Sequence, residues 1–382
     1  MARRLAVICT LVLALAVGMT GSASGARHME VAVQDDNVLF NGFYATPQMG
    51  LDLAQRLHTS RVRVNVVWSY VVGKAAKKKK APKRIKYNWS GYDLLIANAR
   101  PYKIKVQLVL TGPAPAWATG NHRVGVYKPK AKAFKTFASA AAKHFKSRGM
   151  ERYSIWNEPN HRGWLAPLKS GPKLYRGLYA AGYSGIKRAD RRAKVFFGET
   201  SPYAIRRNAT APLKFLRGVT CANARYKRSR KCGKLKTDGF AHHPYDFKHK
   251  PTFKYPGKDN VTVATLSRLT KALSKLRKAK LLSTPSGGVP YLYLTEYGYF
   301  SSGKYRKSRT TQGKYLVKGF TIAQRNPRVK QMLQFLLLKP GGNFRNFDTS
   351  IVSRRGTPSK AFDMLEAWAQ KAAKAGRIAS PR

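Results

Sequence analysis

Acidic residues are scarce in this chain of 382 residues, where 16 Asp and Glu stand against 74 Lys and Arg, a formal net charge of +58. A surface with such an excess of cations attracts polyanions. An acidic glycan substrate, adhesion to an anionic cell wall and nucleic-acid binding all fit this charge, and so does a general surface bias without a specific ligand. Composition alone does not choose among these alternatives, because the basic residues are spread over nearly every polar segment.

Long apolar segments are also missing. The apolar run 5–17 follows Arg3 and Arg4, and small residues close the segment at 24–26. The run is shorter than the roughly 20 residues that a membrane-spanning helix needs, and its flanks are typical of a secretory signal peptide. We therefore expect residues 1–26 to be a cleaved signal peptide. The mature chain 27–382 is expected to be secreted and extracellular, without insertion into a membrane.

The chain has only three cysteines. Cys9 lies in the expected signal peptide, which leaves Cys221 and Cys232 as a close pair in a basic segment. A zinc site is one interpretation, but no adjacent His or Cys supplies the missing ligands at metal spacing. An exported protein forms disulfides readily, so we expect a disulfide between Cys221 and Cys232.

Glycine-rich phosphate-binding motifs are absent too. No G-x-G-x-x-G follows the first predicted strand, and no G-x-x-x-x-G-K-[ST] occurs in the chain. A nucleotide-binding enzyme of either type would lack its phosphate cradle.

What the chain does contain is an alternation of short β-branched apolar runs with longer helical segments, as in parallel βα units. After the third strand, for example, Phe134, Phe137, Ala141 and Phe145 share one face of a predicted helix. The eight predicted strands are 38–45, 61–68, 103–110, 153–158, 194–200, 239–243, 290–297 and 329–337. A doubly wound open sheet alternates in the same way. The count of eight and the residues described next favour a single-domain (β/α)8 TIM barrel over 27–382.

Two of the scarce acidic residues end predicted strands, where a barrel of this type carries its catalytic groups. Glu158 ends the fourth strand in YSIWNEPN, and Glu296 ends the seventh in YLYLTEYG. These two strands face each other across a barrel mouth. Glycosidic hydrolysis with retention requires such a pair, because one carboxyl protonates the departing oxygen while the other attacks the anomeric carbon across roughly 5 Å.

The two segments resemble the acid/base and nucleophile strands of the glycoside hydrolase superfamily, clan A, that carries catalytic glutamates on strands four and seven. Trp-Asn-Glu-Pro-Asn is most similar to glycoside hydrolase family 39, the family of β-xylosidases and α-L-iduronidases, and next to the family 5 cellulase-like enzymes. The resemblance implies a retaining O-glycosidase, with Glu158 as general acid/base and Glu296 as nucleophile. It implies a poly- or oligosaccharide substrate and no cofactor.

Other strand ends resemble the substrate-binding segments of these enzymes. The segment VRVNVVW resembles the second strand, whose Arg borders the nucleophile, and LTGPAPAW resembles the third-strand end that lines the sugar subsite. The segment FAHHPY resembles the sixth-strand motif, whose Tyr hydroxyl contacts the nucleophile, and the amide beside the acid/base would bond the sugar 2-hydroxyl. The substrate-binding residues implied by the resemblance are Asn157, Arg63, Trp68, Trp117, His243 and Tyr245.

The aromatic residues leave alternatives open. Enzymes of this group usually carry a Trp as a sugar platform at the end of the eighth strand, and residues 335–338 offer none. Phe344 or Phe347 in the following loop is a candidate substitute. Trp68 and Trp117 fit the hydrophobic core as well as they fit stacking on a sugar.

The polar candidates have structural interpretations as well. Glu158 precedes a proline, as at a helix start, and Glu296 alone fits a structural carboxylate paired with a lysine. His243 is equally well explained as a buried, hydrogen-bonded histidine. Neither a carboxylate nor a third histidine lies at ligand spacing from His242 and His243, so we expect no metal site.

The basic run 74–86 lies between the second predicted strand and its helix, which places it at the catalytic face of the barrel. This position suggests an anionic polysaccharide as substrate or a cell-wall surface as partner. Two rival functions are a non-catalytic carbohydrate-binding protein on the same barrel and an exported polyanion-binding protein. We expect no specific nucleic-acid partner, and neither rival explains why scarce acids fall at those two strand ends.

Overall fold

The computed structural model describes residues 28–40, 42, 45–341 and 347–381. The expected signal peptide 1–26, with Cys9, lies outside the described residues, and so does Phe344. Within the described ranges, no helix combines the length and the apolar character needed to cross a membrane.

Eight parallel strands close into a barrel. Each strand pairs with the next one in the chain, and the last pairs with the first. The expected (β/α)8 TIM barrel is confirmed. The strands are β1 (Glu30–Gln34), β2 (Arg61–Val67), β3 (Lys105–Thr111), β4 (Arg152–Ile155), β5 (Lys194–Thr200), β6 (Gly239–His242), β7 (Leu292–Leu294) and β8 (Val329–Phe335).

Helices lie between successive strands and pack around the barrel. A separate pair of two-residue strands, Leu235–Lys236 and Leu282–Ser283, lies outside it. The helices are α1 (Asp36–Leu39), α2 (Pro47–Arg56), α3 (Trp68–Val72), α4 (Ser90–Ala99), α5 (Ala131–Lys146), α6 (Gly171–Ala189), α7 (Pro212–Thr220), α8 (Leu266–Lys278), α9 (Arg309–Arg325) and α10 (Lys360–Lys374). Short 3-10 turns occupy Gly73–Lys77, Ala116–Ala118, Leu168–Ser170 and Val263–Thr265.

Helix α5 shows how apolar spacing determines which face is buried. Phe134, Phe137, Ala141 and Phe145 are all completely buried, whereas Lys132 on the same helix is exposed. The predicted face is therefore the one that packs inward. Burial of one such aromatic side chain contributes about 1.5–3 kcal/mol relative to leaving it in water.

The first strand was predicted in the wrong place. We expected it at 38–45, but β1 is Glu30–Gln34, and Asp36–Leu39 forms the single helical turn α1. Val38 and Leu39 are buried against Gly50 of α2. A short apolar run fits a buried helical turn as well as a strand, since periodicity cannot separate the two over so few residues.

The N-terminal end of the barrel interior is occupied by paired charges. Glu30 of β1 accepts hydrogen bonds from Arg61 of β2 and Arg152 of β4, and Arg152 also donates to Gln331 of β8. Burial alone would raise the pKa of Glu30, but Arg152 and Arg61 outweigh it and lower the pKa to about 2. The ion pairs join β1 to β2 and β4, and the hydrogen bond to Gln331 adds β8.

The two ends of the described chain meet at this N-terminal side of the barrel. The backbone N–H of Met29 donates to the carbonyl of Arg377, and the N–H of Ala379 donates to the carbonyl of Met29. These bonds tie the residue before β1 to the segment that follows α10.

The expected disulfide is confirmed. Cys221 and Cys232 are bonded, with their Cα atoms 6.3 Å apart, inside the usual range for such bridges. Cys221 caps α7 in the left-handed conformation, so the bridge anchors the basic loop to the end of that helix.

Candidate active site

Glu158 and Glu296 lie just beyond the C-terminal ends of β4 and β7. One carboxylate oxygen of each, together with one ring nitrogen of His243, forms a group whose atoms all lie within 4.8 Å of one another. Glu296 is almost fully buried, whereas the side chain of Glu158 remains 18% exposed. The fold therefore brings the two acids together at one end of the barrel, although 138 positions separate them in the sequence (296 − 158).

A tightly held loop positions Glu158. Trp156 and Glu158 both have positive φ angles, 64° and 36°. Residues other than Gly and Asn rarely adopt this backbone conformation. The buried indole of Trp156 donates from Nε1 to the carbonyl of Trp164 at 2.7 Å. Farther along, Asn160 donates to the carbonyls of Ser201 and Thr210. Backbone strain of this kind persists only where the surroundings enforce it.

Two donors hold the carboxylate of Glu296. Nη1 of Arg63 lies 2.9 Å from Oε1, and the hydroxyl of Tyr245 donates to Oε2 at 3.1 Å. Both donors are buried. These are the two contacts that the resemblance implied for the second and sixth strands.

Arg63 organises the whole group. Its guanidinium is completely buried, and besides Glu296 it donates to Oδ1 of Asn157 at 2.7 Å and to Oε2 of Glu199 at 3.0 Å. It also contacts the side-chain oxygen of Gln34. Because the oxygen of Asn157 is occupied by Arg63, the amide NH2 of Asn157 is the group left to donate to a ligand.

His243 lies between carboxylates on both sides. Nδ1 is 3.0 Å from Oε1 of Glu158 and 3.5 Å from Oε2 of Glu296, and Nε2 is 2.8 Å from Oε2 of Glu199. Burial lowers the pKa of His243, but Glu296, Glu158 and Glu199 outweigh it and raise the pKa to about 9. A pKa raised in this direction favours the imidazolium form of the ring, in which both nitrogens are donors.

Glu199 is a site residue that the sequence analysis missed. It is completely buried near the end of β5, with φ at 47°, and the register of β5 against β6 shifts between Gly198 and Thr200. A bulge of this kind re-aims a side chain, and here the carboxylate reaches Arg63, His243 and the hydroxyl of Thr295. The sequence does contain a pattern that could have indicated it, because Glu199 is another of the 16 acidic residues and lies at the end of a predicted strand.

Burial and four charged neighbours act on the pKa of Glu296. Burial raises this pKa, and the negative charges of Glu158 and Glu199 raise it further. The positive charges of His243 and Arg63 lower it but do not outweigh burial, so the pKa of Glu296 is raised overall. In the free site, Glu296 therefore binds a proton more readily than an isolated glutamate would.

Glu158, His243 and Glu296 are also close enough to surround a small cation. Both ring nitrogens of His243 already face carboxylates at hydrogen-bonding distance, and a protonated ring offers no lone pair to a metal. We therefore interpret the group as hydrogen-bonded acids rather than as a metal centre.

The neighbouring His242 has a structural environment. Nδ1 lies 2.9 Å from the hydroxyl of Thr200 and Nε2 lies 3.0 Å from the carbonyl of Val261. Burial lowers its pKa to about 3, so this ring stays neutral and links β6 to its surroundings.

Trp68 and Trp117 lie in an aromatic cluster behind the strands. Trp68 is completely buried and stacks on Phe137 at 5.2 Å between ring centroids, and Trp117 meets its edge at 5.6 Å. A ring with no exposed surface offers no face to a sugar. We therefore interpret Trp68 as a residue of the hydrophobic core. Trp117 belongs to the same cluster and is only 6% exposed.

Aromatic rings do border the acids at the end of β8. Phe335 is half-buried, and Phe347 is 38% exposed and lies 5.7 Å from it between ring centroids. Phe347 also meets the edge of Tyr245 at 5.9 Å, and the hydroxyl of Tyr245 contacts Glu296. Phe347 thus supplies an accessible aromatic surface close to the pair of glutamates.

Comparison of the sequence with protein-family models finds no match, and comparison with curated proteins finds none either. Solved structures do match. A family 39 glycoside hydrolase from Bacteroides cellulosilyticus WH2 is 16% identical with a TM-score of 0.68, and the alignment covers 90% of this chain and 64% of that one.

Two further structures are similar at comparable levels. A monomeric β-xylosidase from Caulobacter crescentus CB15 is 17% identical, with a TM-score of 0.58 and coverage of 90% of this chain and 69% of that one. A glucosidase from Croceicoccus marinus is 11% identical, with a TM-score of 0.63 and coverage of 91% and 68%. The chain thus spans about two thirds of the length of these enzymes. It shares with them the fold of a (β/α)8 barrel.

Proposed function

We propose that this protein is a retaining glycoside hydrolase of the family 39 type. The observation that carries the proposal is the approach of Glu158 and Glu296, whose nearest oxygens lie within 4.8 Å. Retaining enzymes hold their carboxyls about 5–5.5 Å apart, whereas inverting enzymes leave a gap of about 6.5–9.5 Å for water. The separation in this barrel fits direct attack by a carboxylate.

In the first step, Glu296 attacks the anomeric carbon and the bond to the leaving oxygen breaks. Glu158 gives its proton to that oxygen, so the leaving group departs as an alcohol. In the second step, Glu158 takes a proton from water, the water oxygen attacks the same carbon, and Glu296 is released as a carboxylate. The more exposed position of Glu158 suits a group that exchanges protons with the leaving group and then with water.

The donors around Glu296 have a defined part in this sequence. Arg63 and Tyr245 orient the attacking oxygen and stabilise the carboxylate that leaves in the second step. The amide NH2 of Asn157 is placed to donate to a sugar hydroxyl, because its oxygen is bound by Arg63. Phe347 offers the sugar a stacking surface.

We also propose that the protein is secreted and that its substrate is an anionic glycan. The disulfide fits export, since such bonds persist in oxidising compartments. Between β2 and α4, the consecutive Lys78, Lys79 and Lys80 are exposed. This segment follows the C-terminal end of β2, the end of the barrel where the acids lie, so an extended polyanion bound there would reach the site.

The test of the activity is reducing-sugar release from a panel of neutral and uronate-containing polysaccharides, with wild-type protein and Glu296→Ala side by side. Release by the wild type alone supports the glycosidase, and an initial product of retained anomeric configuration supports the double displacement. Binding of a glycan by both proteins without release would make the barrel a binding module.

The test of the anionic substrate uses salt. Exposed charges separated by more than about 8–10 Å are screened at physiological ionic strength, so cleavage of a uronate polymer should slow as salt rises while cleavage of a short neutral substrate does not. Equal rates on neutral and acidic polymers, with no salt effect, would eliminate the anionic substrate.

A further inference from the structure

Glu199 is a buried carboxylate that the proposed reaction does not use. Its Oε2 accepts hydrogen bonds from Arg63 at 3.0 Å, His243 at 2.8 Å and Thr295 at 2.7 Å. It lies on the far side of the His243 ring from Glu158 and Glu296. The bulge in β5 is what turns this side chain into the barrel.

We propose that Glu199 is a positioning residue that fixes the His243 ring with Nδ1–H directed at Glu158 and keeps that ring cationic between the two glutamates. The inference rests on the proposed function of Glu158 and Glu296. It goes beyond that function because it makes a third carboxylate, Glu199, responsible for the protonation of the group around Glu158 and Glu296, although Glu199 does not touch the reacting atoms.

The first argument is the geometry of the ring. A neutral imidazole carries one N–H, so one of its nitrogens would turn a lone pair toward a carboxylate. With Glu199 facing Nε2 and an ionised Glu158 facing Nδ1, only the doubly protonated ring donates to both neighbours. A neutral acceptor in place of Glu199 would permit the tautomer that presents a bare Nδ1 to Glu158.

The second argument is the balance of charge. Glu158, Glu199 and Glu296 carry three negative charges when ionised, and Arg63 and His243 carry two positive ones. One proton shared by Glu158 and Glu296 therefore makes the group neutral, which is the state that a buried site favours. That proton is the one that the general acid must deliver.

The ionisable groups facing His243 come from several elements, and three of them, Glu296, Glu158 and Glu199, raise its pKa. Burial would raise the pKa of Glu199, but Arg63 and His243 outweigh it and lower the pKa to about 2. Glu199 is thus ionised wherever the protein is folded near neutral pH. The groups concerned are Glu158, Glu199, Glu296, Arg63, Tyr245 and His242.

The primary experiment is an NMR titration of the protein labelled with 15N-histidine, with the His243 signals assigned by their loss in His243→Gln. In the wild type, His243 should titrate near the raised pKa of about 9. In Glu199→Gln, which keeps the size of the side chain and removes its charge, we expect the pKa of His243 to fall by at least about one unit, a tenfold loss of proton affinity. Asp246→Asn removes another buried carboxylate, which binds His249 instead, and should leave His243 unchanged.

The second readout is the pH profile of kcat/KM. If the cationic ring is required, the alkaline limb of this profile in Glu199→Gln should shift to lower pH by the same amount as the pKa of His243 measured by NMR. In the same variant, kcat should fall more than KM rises. Glu199→Asp keeps the charge but shortens the reach, so His243 should stay cationic while kcat still falls.

Two results would overturn the proposal: titration of wild-type His243 at its ordinary value, which needs no variant to fold, or the same His243 titration in wild type and Glu199→Gln. If the wild type cleaves no glycan at all, the proposed function fails, and the NMR titration still decides whether Glu199 sets the state of His243.

Discussion

Arg63 and Glu296 are 233 positions apart in the chain, and Nη1 of one lies 2.9 Å from Oε1 of the other in a buried ion pair. The same guanidinium reaches Glu199 at 3.0 Å. One cation from β2 therefore pairs with two carboxylates, one from β5 and one from the end of β7. The arrangement makes the stability of the barrel and the chemistry of the site depend on the same side chain.

Replacement of Arg63 tests this dependence. Arg63→Met leaves both carboxylates buried without the cation that pairs with each of them, and removing one partner of such a pair costs about 3–5 kcal/mol. Arg56→Met is the matched control, because Arg56 is 45% exposed where it pairs with Glu366 and a surface pair contributes about 0–1 kcal/mol. Urea unfolding of the two variants should separate them clearly, and equal losses would contradict the role of Arg63.

Glu158→Gln tests the general acid. The amide keeps the shape but has no proton to give, so kcat should fall about 10²–10⁴-fold on a substrate with a poor leaving group. A substrate with an acidic phenol as leaving group needs little protonation and should lose much less in bond cleavage. Glu366→Gln, on α10 where the carboxylate pairs with Arg56 of α2, should leave both rates unchanged. Equal losses on both substrates would contradict the assignment of Glu158.

Gly198→Ala tests the bulge that directs Glu199. Gly198 has φ at 115°, and an added Cβ would overlap the carbonyl oxygen of Ala241. Gly149→Ala is the control, since Gly149 also has positive φ, 76°, but has open space around its Cβ position. Thermal unfolding should show a larger loss for Gly198→Ala, beyond the about 1–2 kcal/mol that left-handed backbone alone costs, together with loss of activity. Comparable stability of the two variants would mean that the bulge tolerates a side chain.

Asp35 predicts how stability depends on pH. Burial, with the help of Asp36, raises its pKa from 3.8 to about 7 even though the N–H of Leu338 donates to it. Since the folded value lies above the unfolded one, its contribution is fully present below about pH 4 and is lost as pH rises through about 7. Asp35→Asn stays neutral, so its melting temperature should fall less between pH 5 and pH 9 than that of the wild type. Asp363→Asn, at an exposed position, should follow the wild-type curve.

Phe347→Ala tests the aromatic surface beside Tyr245. Loss of a stacking ring should raise KM, with about 0.5–1.5 kcal/mol of lost interaction corresponding to about a 2- to 13-fold change. Tyr70→Ala removes a ring that is 74% exposed and should not alter KM. An unchanged KM in both variants would place the sugar elsewhere.

The sequence predicted the barrel and the two glutamates because each depends on a local pattern. Seven of the eight strands lie where β-branched runs indicated, and Glu158 and Glu296 stood out as rare acids at strand ends. The first strand was misplaced, since the apolar run beginning at Val38 belongs to a helical turn that packs on α2.

Other features depend on long-range geometry that no local pattern contains. Glu199 enters the site through a register shift between β5 and β6. A shift of one residue does not change the pattern of apolar residues in the sequence, so it cannot be predicted from that pattern. Trp68 follows β2 directly, but the rings of α5 enclose it. Which face of a strand end meets a neighbouring helix is settled only when the barrel closes.

The hydrogen bonds between Met29 and the segment at 377–379 have a consequence for chain connectivity. They bring the two ends of the described chain side by side, at the opposite end of the barrel from Glu158 and Glu296. A circularly permuted protein would therefore need only a short linker across this junction, with new termini opened in a loop elsewhere. Such a permuted protein would keep the same order of strands around the barrel, although its chain would begin at a different residue.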